Sequence, residues 1–206
     1  MNTTRKDILC VAVIFVVFLA FNINNLSAQD QALDEFDLEI KEWTQSCNKE
    51  IISLFENYLN SGSLTLVQLF DSFYIPIPDT EPPKYSTQYD KILEKSLQTI
   101  LDSYLNKDKA IVYVMAVDKY GYLPAYNSKF SISHTDQREE DFKNNKIKRI
   151  LNDRIGLAAS KNTNSYLIQL NLLDTGEEIM DFSVPLIVEN RHWGAVRIGY
   201  KKYKNN

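Results

Sequence analysis

The 206-residue chain has few of the residues on which several kinds of chemistry depend: two cysteines, two histidines and six glycines. Cys10 lies in an N-terminal apolar run, so removal of that run leaves Cys47 alone and excludes an internal disulfide. A Cys-x-x-Cys-His haem-attachment motif, a glycine-rich phosphate loop and a Gly-x-Ser-x-Gly turn are all absent from the sequence. We therefore expect no cofactor and no enzymatic activity.

A basic surplus is also absent. Twenty-three Lys and Arg residues stand against 27 Asp and Glu, for a formal net charge of −4. Nucleic-acid-binding proteins usually carry a basic face, so we expect no nucleic-acid partner. The hydrophobic fraction of 44% is typical of a globular protein with a core.

The N-terminus has the features of a targeting segment. Arg5 and Lys6 precede an apolar run of 14 residues, 8–21, and Leu26-Ser27-Ala28 resembles a cleavage site. A membrane span needs roughly 20 apolar residues, so a signal peptide is favoured over an anchor. We predict a signal peptide at 1–28, with an uncleaved anchor at 8–21 as the alternative. Residues 29–206 would then form a single domain that is periplasmic or secreted.

Apolar residues recur every three or four positions over 33–60 and predict one long helix. The stripe consists of Leu33, Phe36, Ile40, Trp43, Cys47, Ile51, Leu54 and Tyr58, and the opposite face carries acidic residues that include Asp37. Either the stripe packs on its own domain, or it forms a dimer seam, because its spacing approaches a heptad.

The rest of the chain predicts an α+β domain. The proline-rich segment 74–85 is expected to wrap the surface in extended conformation, and helices are predicted at 87–106 and 138–160. Five strands are predicted within a core sheet at 111–201, namely 111–117, 122–126, 166–173, 179–188 and 192–201. We expect a five-stranded antiparallel sheet, with the long N-terminal helix and further helices packed on it.

Five stretches carry a resemblance to a known family. They are YIPIPDTEPPKYSTQYD, VDKYGYLPAYN, KIKRILNDRIG, DTGEEIMDFSVPLIV and NRHWGAVRIGY. In this order they resemble the PAS-like or Cache-like extracytoplasmic sensor domains found with bacterial methyl-accepting chemotaxis proteins, over about residues 64–201. The resemblance implies a domain that senses a small molecule or a redox or stress cue.

The chain departs from that family in two ways. The second stretch usually ends in His-Asn, whereas here it ends in Tyr126-Asn127, so a contact of that histidine with a ligand or haem in relatives does not carry over to this chain. The cytoplasmic signalling helices of the receptors are missing, so the resemblance implies a sensor module that acts without its own signalling tail.

Candidate ligand-binding residues lie on the predicted strands. Alternation over 179–188 puts Asp181 and Ser183 on the face opposite Phe182, and a buried carboxylate there needs a partner. Arg149 and Arg154 are predicted to supply it. They either hold an amine, a carboxylate or a zwitterion together with Asp181, or form a structural ion pair that joins helix to sheet.

Aromatic side chains complete the candidate site: Tyr113, Tyr122, Tyr126, Tyr166 and Trp193 line a pocket or form ordinary core. In the last strand, Trp193 and Arg197 are predicted to share one face, as a pocket wall or a cation–π pair. Asn190 is predicted to take left-handed φ in the preceding turn. Catalysis would rest only on His134 and His192, which lack metal-ligand spacing.

Two functions are therefore weighed against each other. The first is an exported small-molecule-sensing domain in bacterial signal transduction or chemotaxis. The second is a periplasmic accessory protein that forms a homodimer, or docks on a membrane receptor or kinase, through helix 33–60.

Overall fold

A 26-residue helix, α1 (Glu35–Asn60), opens the part of the chain that the computed structural model describes, which comprises residues 32–131, 146–173 and 175–203. It begins in a capping box. The Asp34 carboxylate accepts from the backbone N–H of Asp37 at 2.8 Å, and the Asp37 carboxylate accepts from that of Asp34 at 3.1 Å. The long N-terminal helix predicted at 33–60 is confirmed.

The buried face of α1 contains Ile40, Cys47 and Ile51, which are fully buried against the rest of the same domain. The prediction that Asp37 lies on the polar face is wrong, because this residue is 1% exposed. Its carboxylate accepts from Tyr200 Oη at 2.5 Å and from Lys202 Nζ at 2.8 Å. Hydrogen bonds from the last residue of the C-terminal strand and from Lys202 beyond it therefore compensate its burial. Pairing of α1 with a partner stays a prediction.

The proline-rich segment 74–85 contains two short strands joined by a turn, in agreement with the predicted extended conformation. A one-turn helix, α2 (Leu66–Leu69), precedes a hairpin of β1 (Ile75–Ile77) and β2 (Lys84–Ser86). Helix α3 (Asp90–Leu105) follows and confirms the prediction at 87–106.

Within the described residues, the core sheet has four strands rather than the predicted five. They are β3 (Ile111–Asp118), β4 (Leu167–Leu172), β5 (Glu178–Val188) and β6 (Arg191–Tyr200), ordered β3-β6-β5-β4 with every pair antiparallel. The predicted strand 122–126 forms only isolated bridges, Met115 to Tyr126 and Tyr122 to Ile150. Pro124 interrupts it and has no N–H for a ladder.

The helix predicted at 138–160 is shorter where the structure describes it. Residues 132–145 lie outside the described ranges. Over 146–153 the chain is not helical, because Lys148 has a φ of +63° and Ile150 bridges to Tyr122. Helix α4 (Arg154–Lys161) begins only where the Asp153 carboxylate accepts from the N–H of Gly156 at 2.9 Å.

The two faces of the sheet bury different clusters. Phe182, Val184 and Leu186 on β5 belong to the main core with α1 and α3, while Ile179 belongs to a smaller cluster on the other face. The alternation predicted for β5 is therefore confirmed. The smaller cluster contains Tyr113, Met115, Val117, Leu123, Tyr126, Ile147, Ile179 and Ala195.

A β-bulge changes the direction of Trp193. Leu186 pairs with Gly194 and Ile187 with His192, which leaves Trp193 as the extra residue of β6. Its ring packs edge-on against Phe55 at 5.2 Å between ring centroids. The prediction that Trp193 shares a face with Arg197 is wrong, because the bulge interrupts the alternation.

The turn before β6 has the backbone conformation that its sequence predicts. Glu189 and Asn190 have φ values of +48° and +57°, as a two-residue hairpin turn requires. Left-handed φ at Asn190 is confirmed.

None of the described helices combines the length and hydropathy of a membrane span. The predicted signal peptide 1–28 and anchor 8–21 lie outside the described residues.

Candidate functional site

A cleft of about 320 Å³ lies on the face of the sheet that α1 does not cover. It is lined by Tyr113, Met115, Leu123, Tyr126, Lys146, Arg149, Leu151, Asp153, Asn171, Leu172, Leu173 and Arg197. Strand β3, the end of β4 and the segment 146–153 thus provide most of its walls.

A buried ion pair forms the floor of the cleft. Arg197 Nη2 donates to Asp181 Oδ2 at 2.8 Å, and Arg197 Nε donates to the same oxygen at 3.1 Å. The Asp181 side chain is fully buried and that of Arg197 is 3% exposed. Tyr113 Oη also donates to Asp181 Oδ2, at 2.5 Å, and accepts from Asn171 Nδ2 at 3.1 Å. The four side chains form one continuous network.

The pairing register explains the partner of Asp181. Asp181 lies opposite Gly199 and Ser183 opposite Arg197, so Asp181 and Arg197 are diagonal neighbours on one face of adjacent strands. The prediction that Arg149 and Arg154 supply the charge partner of Asp181 is corrected to Arg197. Only the register of β5 with β6 reveals this pair.

Gly199 gives the Tyr113 ring its place on the sheet. A Cβ atom at Gly199 would overlap the ring atoms of Tyr113. The ring therefore lies over the bare backbone of β6 and directs its hydroxyl to Asp181. Glycine in a strand interior often marks such a close approach.

Burial and charge keep the Tyr113 hydroxyl protonated and the Arg197 guanidinium charged. Burial raises the pKa of Tyr113, and the nearby Asp181 carboxylate raises it further. Burial lowers the pKa of Arg197, but the Asp181 carboxylate outweighs this and holds the guanidinium charged. Because Asp181 already accepts from Arg197 and Tyr113, it supports the floor and leaves no exposed carboxylate for a ligand amine.

The upper walls combine cations with apolar groups. Lys146 and Arg149 belong to the lining, and Asp153 is the acidic residue beside them. The ring of Tyr126 stacks on Phe130 at 4.9 Å between centroids. The cleft lining thus combines positive charge with aromatic surface.

The structure divides the predicted site residues into three groups. Tyr113, Tyr126, Arg149 and Arg197 line the cleft. Asp181 and Ser183 lie beneath it, where Ser183 Oγ donates to the Leu167 carbonyl at 3.3 Å. Arg154, Tyr166 and Trp193 lie elsewhere.

Arg154, Tyr166 and Trp193 lie outside the cleft for different physical reasons. Arg154 is exposed at the first turn of α4. Tyr166 precedes β4 and stacks on Phe182 of the main core at 5.2 Å between centroids. Trp193 is turned away by the bulge, and its Nε1 donates to the Leu69 carbonyl at 2.9 Å.

Sequence reasoning missed Lys146, Asp153, Asn171 and Gly199. Strand alternation could have pointed to Asn171, because it lies two residues from Gln169 and therefore on the same face of β4. Lys146 and Asp153 carry no such signal, because the helix predicted at 138–160 does not extend over residues 146–153.

A second polar cluster lies at the other end of β3. Asp118 is 4% exposed, and its Oδ2 accepts from Tyr74 Oη at 2.7 Å and from Tyr89 Oη at 2.9 Å. Burial raises the pKa of Asp118, although the tyrosine and backbone hydrogen bonds act in the opposite direction. Tyr122 belongs here too and donates to Asp90 Oδ2 at 3.0 Å. This cluster joins the β1–β2 segment to the sheet.

Of the two histidines, His192 does not line the cleft. His134 lies outside the described residues. His192 is half-buried at the start of β6, and burial lowers its pKa. Among the described residues, no group of three or more His, Cys, Asp and Glu side chains is placed to hold a metal ion.

Comparisons with known proteins identify no family. No protein-family model matches the chain, and no curated protein matches it. Among solved structures, it is similar to an extracellular ligand binding receptor from Desulfohalobium retbaense DSM5692, with 12% identity and a TM-score of 0.36. The match covers 82% of this chain and 26% of that receptor, so the chain spans about a quarter of its length. Neither a family nor a function follows from similarity at this level.

Proposed function

We propose that the protein is a non-enzymatic, small-molecule-binding sensor domain and that its ligand occupies the cleft above Asp181 and Arg197. The observation that carries the proposal is the cleft itself, which is formed on a sheet face by polar and aromatic side chains over a rigid ionic floor. Ligand sites are typically concave, with a few polar groups that fix orientation.

The charges of the lining favour a ligand with a carboxylate or another small anionic group. Lys146 and Arg149 contribute two positive charges and Asp153 contributes one negative charge, while the charge of Arg197 is balanced by Asp181. Asp181 is already neutralised by Arg197. Of the amine, carboxylate and zwitterion considered from the sequence, an anion-bearing ligand fits this balance best, with its apolar part against Tyr126.

A thermal-shift screen of the purified protein against organic acids, amino acids and amines tests the proposal. A ligand at 100 times its Kd stabilises the folded state by about 2.7 kcal/mol. For a chain of this size, that raises the melting temperature by about 5–10 °C. We expect hits among carboxylates and none among simple amines.

Arg149 and Arg154 provide a matched pair of variants. Arg149→Ala should abolish the shift caused by a hit, because Arg149 lines the cleft. Arg154→Ala should retain the shift, because Arg154 is exposed outside the lining. The absence of any hit across these compounds, or equal loss of the shift in both variants, would contradict the proposed site.

The finer parts of the proposal come from the sequence resemblance. A PAS-like or Cache-like sensor in bacterial signal transduction or chemotaxis would act in the periplasm or at the cell surface and report to a membrane receptor or kinase. Co-purification of the full chain with a receptor, gained or lost on ligand addition, would test that link.

A further inference from the structure

Strand β4 forms an outer edge of the core sheet, and its outer side is open among the described residues. The order β3-β6-β5-β4 gives it one neighbour, β5. No other described segment makes a backbone hydrogen bond along its outer side. The opposite edge differs, because β3 is bridged to Tyr126. One edge is therefore available for pairing with another strand.

This edge lacks the features that usually prevent pairing. The sequence LIQLNL of β4 has no charged residue and no proline, and its register with β5 runs without a bulge. Soluble proteins usually protect such edges with charges, prolines or bulges. Leu170 and Leu172 are 57% and 65% exposed. An open, neutral edge with exposed leucines is a surface that a strand can extend.

We propose that β4 pairs antiparallel with β4 of a second copy of this chain, about a two-fold axis that passes beside Leu170. The two four-stranded sheets then form one continuous sheet. Asn171 and Leu172 of this edge also line the end of the cleft, and Lys41 of α1 lies at one end of the strand, but the inference does not depend on the proposed ligand.

The strand is complementary to itself about that axis. A two-fold axis perpendicular to the sheet keeps each side chain on its own face, so Leu170 faces Leu170 of the second copy and Ile168 faces Leu172. On the other face, Gln169, whose amide donates to the Ile155 carbonyl, comes opposite Asn171, whose amide donates to Tyr113 Oη. Apolar side chains thus come opposite apolar ones and amide side chains opposite amide ones, as cross-strand pairing favours.

The charges at the two ends of β4 also complement each other. Lys41 Nζ lies over the Tyr166 ring, 5.1 Å from its centroid, at the N-terminal end of the strand. At the C-terminal end, the exposed Glu178 of β5 lies opposite Leu172, whereas the preceding Glu177 is already ion-paired with Lys201 of its own chain. Antiparallel pairing places the basic end of one copy beside the acidic end of the other. A parallel arrangement would instead place like charges together.

Disulfide cross-linking of the full chain tests the proposed register. In a Cys10→Ser background, Leu170→Cys should yield a covalent dimer on mild oxidation, because Cα atoms directly opposite in antiparallel strands are about 4.5–5.5 Å apart. Cys47 is fully buried and does not compete. Val67→Cys is the matched control, because Val67 is 79% exposed on α2, away from β4. Equal cross-linking of both variants, or of neither, would overturn the inference.

Light scattering of the full chain provides the second measurement. Wild type should have the mass of a dimer, and Leu170→Lys should halve it, because a lysine on each edge repels its symmetry mate. Leu38→Lys, at a residue 49% exposed on α1, should remain dimeric. A monomeric wild type, or a dimer that Leu38→Lys breaks and Leu170→Lys does not, would refute pairing through β4.

Discussion

Replacing Arg197 by methionine is the most informative single change for the cleft floor. It removes the guanidinium while keeping a long apolar stem, and leaves the fully buried Asp181 carboxylate without its ionic partner. Tyr113 Oη remains as a donor. One neutral hydrogen bond does not replace a bidentate ionic contact, so we expect a large loss of stability.

The size of that loss follows from burial. Removing one partner of a buried ion pair typically costs about 3–5 kcal/mol, whereas an exposed pair contributes about 0–1 kcal/mol. A domain is stable by about 5–15 kcal/mol, so Arg197→Met should fold with a much lower urea midpoint. Arg197→Met combined with Asp181→Leu should recover most of the loss, because no uncompensated charge remains.

Urea denaturation followed by tryptophan fluorescence measures the free energy of unfolding for the wild type, both single variants and the double variant. Lys201→Met is the control, because it removes an ion pair to Glu177 whose side chains are 49% and 45% exposed. A cost for Arg197→Met no larger than that of Lys201→Met would refute the buried floor. So would a double variant less stable than Arg197→Met alone.

Three further predictions concern other parts of the fold. Because burial raises the pKa of Asp118, its charged form opposes folding, and stability is lost as pH rises from about 4 through the folded pKa. In urea denaturation between pH 4 and 7, the free energy of unfolding of Asp118→Asn should therefore increase relative to that of wild type as the pH rises. A difference between the two that stays constant over this range would contradict this. Burial also raises the pKa of the Cys47 thiol. In a Cys10→Ser background, Cys47 should therefore react with maleimide only when the protein unfolds. Rapid labelling of the folded protein in native buffer would disprove this expectation. Gly199→Ala should lower the free energy of unfolding by about 1–3 kcal/mol, because the added methyl group overpacks against the Tyr113 ring. In a Tyr113→Ala background the same change should cost little. An equal cost in both backgrounds would show that the ring is not the obstacle.

Local sequence patterns predicted most of the secondary structure. The period of the apolar residues located α1 and α3, and alternation located β3 to β6 within one or two residues. Prediction failed where the chain is extended without regular pairing. Helical composition over 146–153 was outweighed by bridging to residues 121–123, and Pro124 kept 122–126 from becoming a fifth strand.

The candidate site was only partly predictable. Tyr113, Tyr126, Arg149 and Arg197 were named from residue type and alternation, and all four line one cleft. The partner of Asp181 was named incorrectly, because the register between strands is not encoded in either strand alone. Whether any of these residues binds a ligand stays a prediction.

The sequence by itself determined the α+β class, the long first helix, the polar face of β5 and the left-handed turn at Asn190, because each follows from local periodicity or backbone preference. Only the tertiary structure decided the four-stranded order, the burial of Asp37, the side on which Trp193 packs and the pairing of Arg197 with Asp181. The last two depend on the register between β5 and β6, where one extra residue in β6 is enough to turn an indole from the cleft face to the core.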